Sequence, residues 1–202
     1  MVTTGFSKPI IAKYSNTGSA VTYTSPQSLA RGVSLSLDID VADDNNFYAD
    51  NVLAETESAS FTSGSATITV DGLDNDAATV IWGLPAPTSL TVQNPSTTVQ
   101  MQGYGKEISP PFVGFGCVRR TMMNGQTQYW PFILPKIKFG LPSEEMATQE
   151  DQINWQTQEL SATVFRDDTT DANWKVISAE GMDTEAEAVQ AINAFFGVVE
   201  GE

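Results

Sequence analysis

Any chemistry in this chain falls to carboxylates, because the other usual catalysts are missing. The 202 residues contain no histidine and a single cysteine, Cys117. That removes Ser-His-Asp and Cys-His nucleophile pairs, and zinc or haem held by histidine. One cysteine makes neither an intrachain disulfide nor a Cys-rich metal site. Asp38, Asp40, Asp43, Asp44 and Asp50 form an acidic run that invites calcium. An EF-hand loop needs a glycine at its sharp turn, which this run lacks, so it reads as a solvated strand face and turn. Glu144/Glu145 and Asp167/Asp168 are carboxylate pairs of the kind glycoside hydrolysis uses. Adjacent acids in polar loops are far more often simply solvated.

Two further patterns have a chemical and a plainer reading. Gly114-Phe115-Gly116 lies inside a strand pattern, which suits a bulge or close backbone approach better than a phosphate cradle. Trp82, Trp130, Trp155 and Trp174 could form a sugar platform, yet scattered tryptophans in a small β domain are usually core or interface. No catalytic, metal-ligating or cofactor-binding residue is assigned, and no cofactor is expected. The default reading is a mechanical or adhesive protein and not an enzyme.

Charge is unevenly distributed along the chain, whose formal net charge is −15. Residues 1–105 carry three basic and ten acidic side chains. Residues 106–140 carry Lys106, Arg119, Arg120, Lys136 and Lys138 against Glu107 alone. Residues 141–202 carry two basic and fourteen acidic side chains. So acidic a chain repels nucleic-acid phosphate over most of its surface. The basic middle lacks the aromatic interleaving of RNA-binding segments. Contact between unlike surfaces of identical subunits suits such polarity at least as well. No apolar run reaches bilayer-spanning length, and the start lacks a basic and apolar leader. Synthesis and assembly in a cytoplasm are therefore expected.

The elements that must position these residues are mostly strands. Val33, Leu35, Leu37, Ile39 and Val41 alternate with Ser34, Ser36, Asp38 and Asp40, which predicts a half-buried strand. Further strands are predicted at Ile10–Tyr14, Ala20–Thr24, Ser65–Val70, Phe112–Met122, Glu159–Arg166 and Trp174–Ala179. Asn124-Gly125 is the favoured hairpin turn into Thr127–Leu134, which Lys136–Phe139 follows. Pro131 and Pro135 argue that this region is a sheet edge or a bulged strand. Ala77, Val80, Ile81 and Leu84 have helical spacing, with Asp74 as cap and Gly83 near the end. Thr184-x-x-Glu187 is a capping box opening a second helix that runs to Gly197. Between the first helix and the middle strands, Pro85–Pro111 reads as a long polar loop, extended only at Ser89–Val92 and Thr98–Gln102.

Two segments carry a resemblance. Residues 47–58, FYADNVLAETES, and residues 138–166, KFGLPSEEMATQEDQINWQTQELSATVFR, resemble segments of the major tail tube proteins of long-tailed bacteriophages. The order of parts is also similar: an N-terminal hairpin, the YAD segment, a strand, a short helix, a variable loop, a central hairpin and a closing strand pair. The similarity covers about residues 8–178 by pattern.

The resemblance implies a mainly β (α+β) fold. Two packed antiparallel sheets lie beside a short helix in residues 1–182, with 85–111 as a long loop and 183–202 as a C-terminal helix and tail. It also implies hexameric rings stacked into a tube that conducts double-stranded DNA without binding it specifically. The further partners would be the tape-measure and tail-end proteins of the same virion, with no membrane. On that reading Ser34, Ser36, Asp38 and Asp40 face the lumen, and Arg119, Arg120, Lys136 and Lys138 meet acidic loops of a neighbour. The alternative is a β-sandwich binding or adhesion module, with an aromatic platform near Trp130 or Trp155. A carboxylate-based hydrolase is a third.

Overall fold

Strand-length runs of alternating or continuous apolar residues, broken by glycine and proline turns, dominate the computed structural model, which describes residues 2–18, 20–57, 60–93, 96–144 and 156–197. In chain order the elements are β1 (Val2–Asn16), β2 (Val21–Ser28), β3 (Gly32–Val41), β4 (Asn45–Ala49), β5 (Val52–Glu57), β6 (Phe61–Val70) and α1 (Asn75–Trp82). They continue as β7 (Thr88–Gln93), β8 (Ser96–Met101), β9 (Phe112–Met123), β10 (Gln126–Phe139), β11 (Gln158–Phe165), β12 (Val176–Ile177) and α2 (Glu185–Phe195). The fold is mainly β with two helices and antiparallel sheets throughout. Its main sheet runs β2-β1-β9-β10-β11-β6-β3, with β12 also paired to β10. β4–β5 and β7–β8 are separate two-stranded ribbons.

The main sheet must roll up. Its two edge strands, β2 and β3, are joined only by Leu29-Ala30-Arg31, a link that spans at most about 11 Å. The roll brings β3 beside β1, where a Cβ at Gly32 would lie 2.2 Å from a Phe6 ring carbon. Only a residue without a side chain fits there. Inside the roll sit Ile11, Ile68, Val70, Val113, Phe115, Leu134, Ile137, Leu160 and Val164. Ala77, Ala78, Ile81 and Trp82 of α1 complete that core. Each large side chain so buried contributes about 1.5–3 kcal/mol. Asp74 caps α1 by accepting from the Ala77 amide at 2.8 Å, and Gly83 ends it at φ 66° in the left-handed region. The Trp82 indole N–H donates to the Gly140 carbonyl at 2.9 Å, so its polar atom is satisfied.

A second core lies on the outer face of the same sheet. There α2 places Ala188, Ile192 and, at its C-cap, Phe196 against Ile10, Ala12, Val118 and Ile133. The capping box is present, with Thr184 Oγ1 accepting from the Glu187 amide and the Thr184 amide donating to the Glu187 carboxylate. Gly114 and Gly116 form the bed: a Cβ at Gly114 would lie 2.6 Å from Phe196, and one at Gly116 would lie 2.5 Å from Ile192. Close backbone approach is thus the reason for the Gly-Phe-Gly run.

Three expectations need correction. Val33 and Val41 do not join the buried face of β3. The pairing with β6 shifts between Gly32 and Ser34 and between Asp40 and Val41, which turns both valines outward, while Leu35, Leu37 and Ile39 stay half-buried. The stretch with Pro131 and Pro135 is one strand, β10, and it is central. Its register shift between Leu134 and Ile137 spans Pro135, so the bulge holds and the edge does not. Within the long loop, the segments expected to be extended, Ser89–Val92 and Thr98–Gln102, fall on β7 and, but for Gln102, on β8. The correction is that these pair as a ribbon from Thr88↔Met101 to Gln93↔Ser96.

Candidate functional site

The outer face of the rolled sheet divides into a covered half and a bare half. In the bare half, residues 34–40 of β3, 64–70 of β6 and 159–164 of β11 alternate, with apolar or small residues inward and polar ones outward. Cross-strand partners share a face, so the registers assemble rows. Ser34 lies beside Thr69, which pairs with Glu159; Ser36 lies beside Thr67 and Ser161. Asp38 lies beside Ser65 and Thr163, and Asp40 beside Ser63, whose hydroxyl donates to the Asp40 carboxylate at 3.0 Å. Ser34, Ser36, Asp38 and Asp40 are all exposed, on an edge strand. The structure therefore joins these four residues to a hydroxyl and carboxylate surface three strands wide. The sequence signal for its remainder was the Ser/Thr alternation of Ser63–Thr69 and Glu159–Thr163.

The four cations are dispersed. Lys138 pairs with Thr163 and Phe112 and marks the border of the bare half, its Nζ 5.8 Å from the Phe112 ring. Lys136 is tied internally: its side chain is 13% exposed and its Nζ lies 2.7 Å from the Asp168 carboxylate. The same Nζ sits 4.7 Å from the Phe112 ring and 5.2 Å from the Tyr14 ring. The Lys136 ammonium, then the Tyr14 hydroxyl, hold the Asp168 carboxyl below the usual range. Burial, then the Asp168 carboxylate, push the Tyr14 hydroxyl up to about 12, so it stays a donor. Arg119 and Arg120 point to opposite faces of β9. Arg119 is half-buried with its guanidinium 5.8 Å from the Trp130 ring, and its Nε is buried without a hydrogen-bond partner among the described residues. Arg120 is exposed.

Among the described residues, Asp167 and Asp168 are engaged in local structure. Asp167 accepts from the amides of Thr169 and Asn173 and from the Thr169 hydroxyl, while Asp168 faces Tyr14 and Lys136. The pair thus serves as a loop clamp and a strand tie. Glu145 and Trp155 lie outside the described residues. Burial pushes the Cys117 thiol up, which suppresses its thiolate. Trp130 donates its indole N–H to Thr121 at 2.9 Å, and Trp174 stacks on Phe61 with ring centroids 5.1 Å apart. Among the described residues, no group of three or more His, Cys, Asp or Glu is placed to hold a metal ion. No described helix is long and apolar enough to cross a membrane.

Sequence reasoning missed the two ribbons as surfaces. On β7–β8, Thr88, Leu90 and Val92 lie opposite Met101, Val99 and Thr97, giving one exposed, largely apolar face. The other face is polar, with Ser89 and Gln100 hydrogen-bonded across it. On β4–β5, Phe47 is 62% and Tyr48 61% exposed, and Val52 and Leu53 are exposed beside them. The signal for the first ribbon was its alternation on either side of Asn94-Pro95. For the second, an aromatic pair flanking a turn gave no hint of exposure.

Comparison with protein-family models and with curated proteins finds no match to this chain.

Proposed function

We propose that this chain is the subunit of a bacteriophage tail tube, forming hexameric rings that stack into a conduit for double-stranded DNA. The observation that carries the reading is the bare half of the sheet. Four successive rows on β3, β6 and β11, from Ser34–Thr69–Glu159 to Asp40–Ser63, hold serine, threonine and carboxylate side chains, with the outward-turned Val33 and Val41 at the two ends of β3. The next strand brings its lysines only at the border. Duplex DNA carries one negative charge per about 1.7 Å of axis, so a cationic wall would retain it. Hydroxyls and carboxylates hold a water layer and repel phosphate weakly, over a screening length of about 8 Å at physiological salt. In this arrangement the bare face lines the channel, and α2 covers the outside of the tube. The free edge of β3 gives a neighbour's sheet a place to continue. The apolar face of β7–β8 gives stacked rings something to bury. Tape-measure and tail-end proteins would be the other contacts.

Electron microscopy of the concentrated protein should show rings or tubes. A monomer at every concentration that binds a glycan array would favour the adhesion module instead. Replacing Asp38 and Asp40 with lysine should preserve tubes but make them retain DNA. Tubes of that variant that bind no DNA would take this face out of the channel.

A further inference from the structure

The β4–β5 ribbon is built to touch something outside its own subunit. Its turn residues Asp50 and Asn51 both have left-handed backbones, φ 52° and 63°, which suits the tight turn of a two-residue hairpin. Tyr48 lies opposite Leu53 and Ala49 opposite Val52. A lone two-stranded ribbon is marginal in water, and this one carries large apolar side chains into solvent. Its occupant cannot be an identical ribbon. Residues 42–57 contain Asp43, Asp44, Asp50, Glu55 and Glu57, and no lysine or arginine lies between Arg31 and Lys106. Two such ribbons face to face would set like charges together. The contact must therefore be heterologous, joining unlike surfaces.

The same chain carries one surface of matching character. The first half of β1 pairs with the end of β9 beyond the second core, and β10 flanks it on the other side. The three strands form an arm ending at the Asn124-Gly125 turn, where φ is 52° and 81°. Val2 pairs with Met122, and Arg120 lies between Gly5 and Tyr129, so Val2, Met122, Arg120 and Tyr129 share one face. Val2 is 67% exposed, and Met122 is exposed beside it. Among the described residues Arg120 has no carboxylate within ion-pair distance, whereas Arg31 pairs with Asp71 and Lys136 with Asp168. The arm thus offers apolar surface and an unpaired cation. The ribbon offers apolar surface and the exposed carboxylates Asp50 and Glu55.

We infer that the β4–β5 ribbon of one copy seats on the Arg120 face of the β1-β9-β10 arm of the next, with Asp50 and Glu55 toward Arg120. The inference rests on the tube reading only in taking the partner to be another copy of this chain. Repeated around a closed rotation, this head-to-tail contact makes a ring.

The test is charge reversal with rescue. Arg120→Glu and Asp50→Lys should each weaken association by about fivefold, the upper range for one exposed pair, measured by sedimentation at several protein concentrations. The double variant, in which the Asp50–Arg120 pair is reversed while Glu55 is kept, should regain part of the association lost by either single variant. Independently, chains carrying Asp50→Cys mixed with chains carrying Met122→Cys should form mixed disulfides in preference to like ones. The buried Cys117 stays out of that reaction. Additive losses without rescue, or no preference for mixed disulfides, would overturn the seating. If the wild type still forms tubes in that case, the tube reading survives. A wild type that does not associate, together with cysteine-bearing chains that form no mixed disulfide, overturns both.

Discussion

The two halves of the rolled sheet solve opposite problems. In the half made by β2, β1, β9 and β10, both faces are buried near the middle, one against the interior of the roll and the other against α2. In the half made by β11, β6 and β3, only the inner face is buried. The strands record the difference. Val113–Val118 of β9 is buried at every position and shows no alternation, as expected of a strand covered on both sides. Ser65–Val70 of β6 alternates throughout. Half of a single sheet is therefore packing machinery, and the other half is left free to present a surface. Where the halves meet, an aromatic series runs from Phe196 through Tyr23, Tyr14 and Phe112 to Phe165, with adjacent centroids 4.9–6.5 Å apart.

The comparison breaks most visibly at α2. Ile192→Ala should cost about 2–5 kcal/mol in chemical denaturation, since it empties a fully buried site between helix and sheet. Ser161→Ala, on the bare face, should change stability by no more than about 0.5 kcal/mol. Comparable losses for the two would erase the distinction between the halves. A smaller effect is expected from Gly116→Val. The added side chain meets Ile192 and Phe196, so overpacking should cost about 1–3 kcal/mol and expose α2 to proteolysis. If α2 stays protected, its seat on the sheet is not as tight as the glycines indicate.

The smallest effect lies at the border. The Asp168 carboxyl is held low by Lys136 and Tyr14, so it stabilises the fold above the ordinary aspartate pKa of about 3.9. That contribution is lost as pH falls through the depressed folded value. Asp168→Asn should therefore lower stability at neutral pH by under about 1 kcal/mol, given the partial exposure of the pair. The gap from wild type should close in acid. A gap that widens as pH falls would mean the carboxylate is not the stabilising form.

Much of the fold was legible in local pattern. The α1 cap at Asp74, the capping box of Thr184 and Glu187, the Asn124-Gly125 turn and the alternation of Leu35, Leu37 and Ile39 all act within a few residues of chain. Residues beyond that reach misled. Val33 and Val41 continue the alternation of β3, but pairing with β6 slips at both ends and turns them out. Pro131 argued for an edge, yet neighbours on both sides make β10 central. No local pattern showed that Lys136 pairs with Asp168, which the β11–β12 connection brings over.

By itself the sequence determined the mainly β class, the helix caps, the turns and the lack of histidine, because each depends on composition or on contacts close along the chain. Tertiary structure decided which strands are covered twice, that Ser34, Ser36, Asp38 and Asp40 extend across β6 and β11, and that both ribbons stand clear of the core. Those outcomes depend on partners far apart in sequence. No local period encodes which strand will lie alongside, or what will cover its other face.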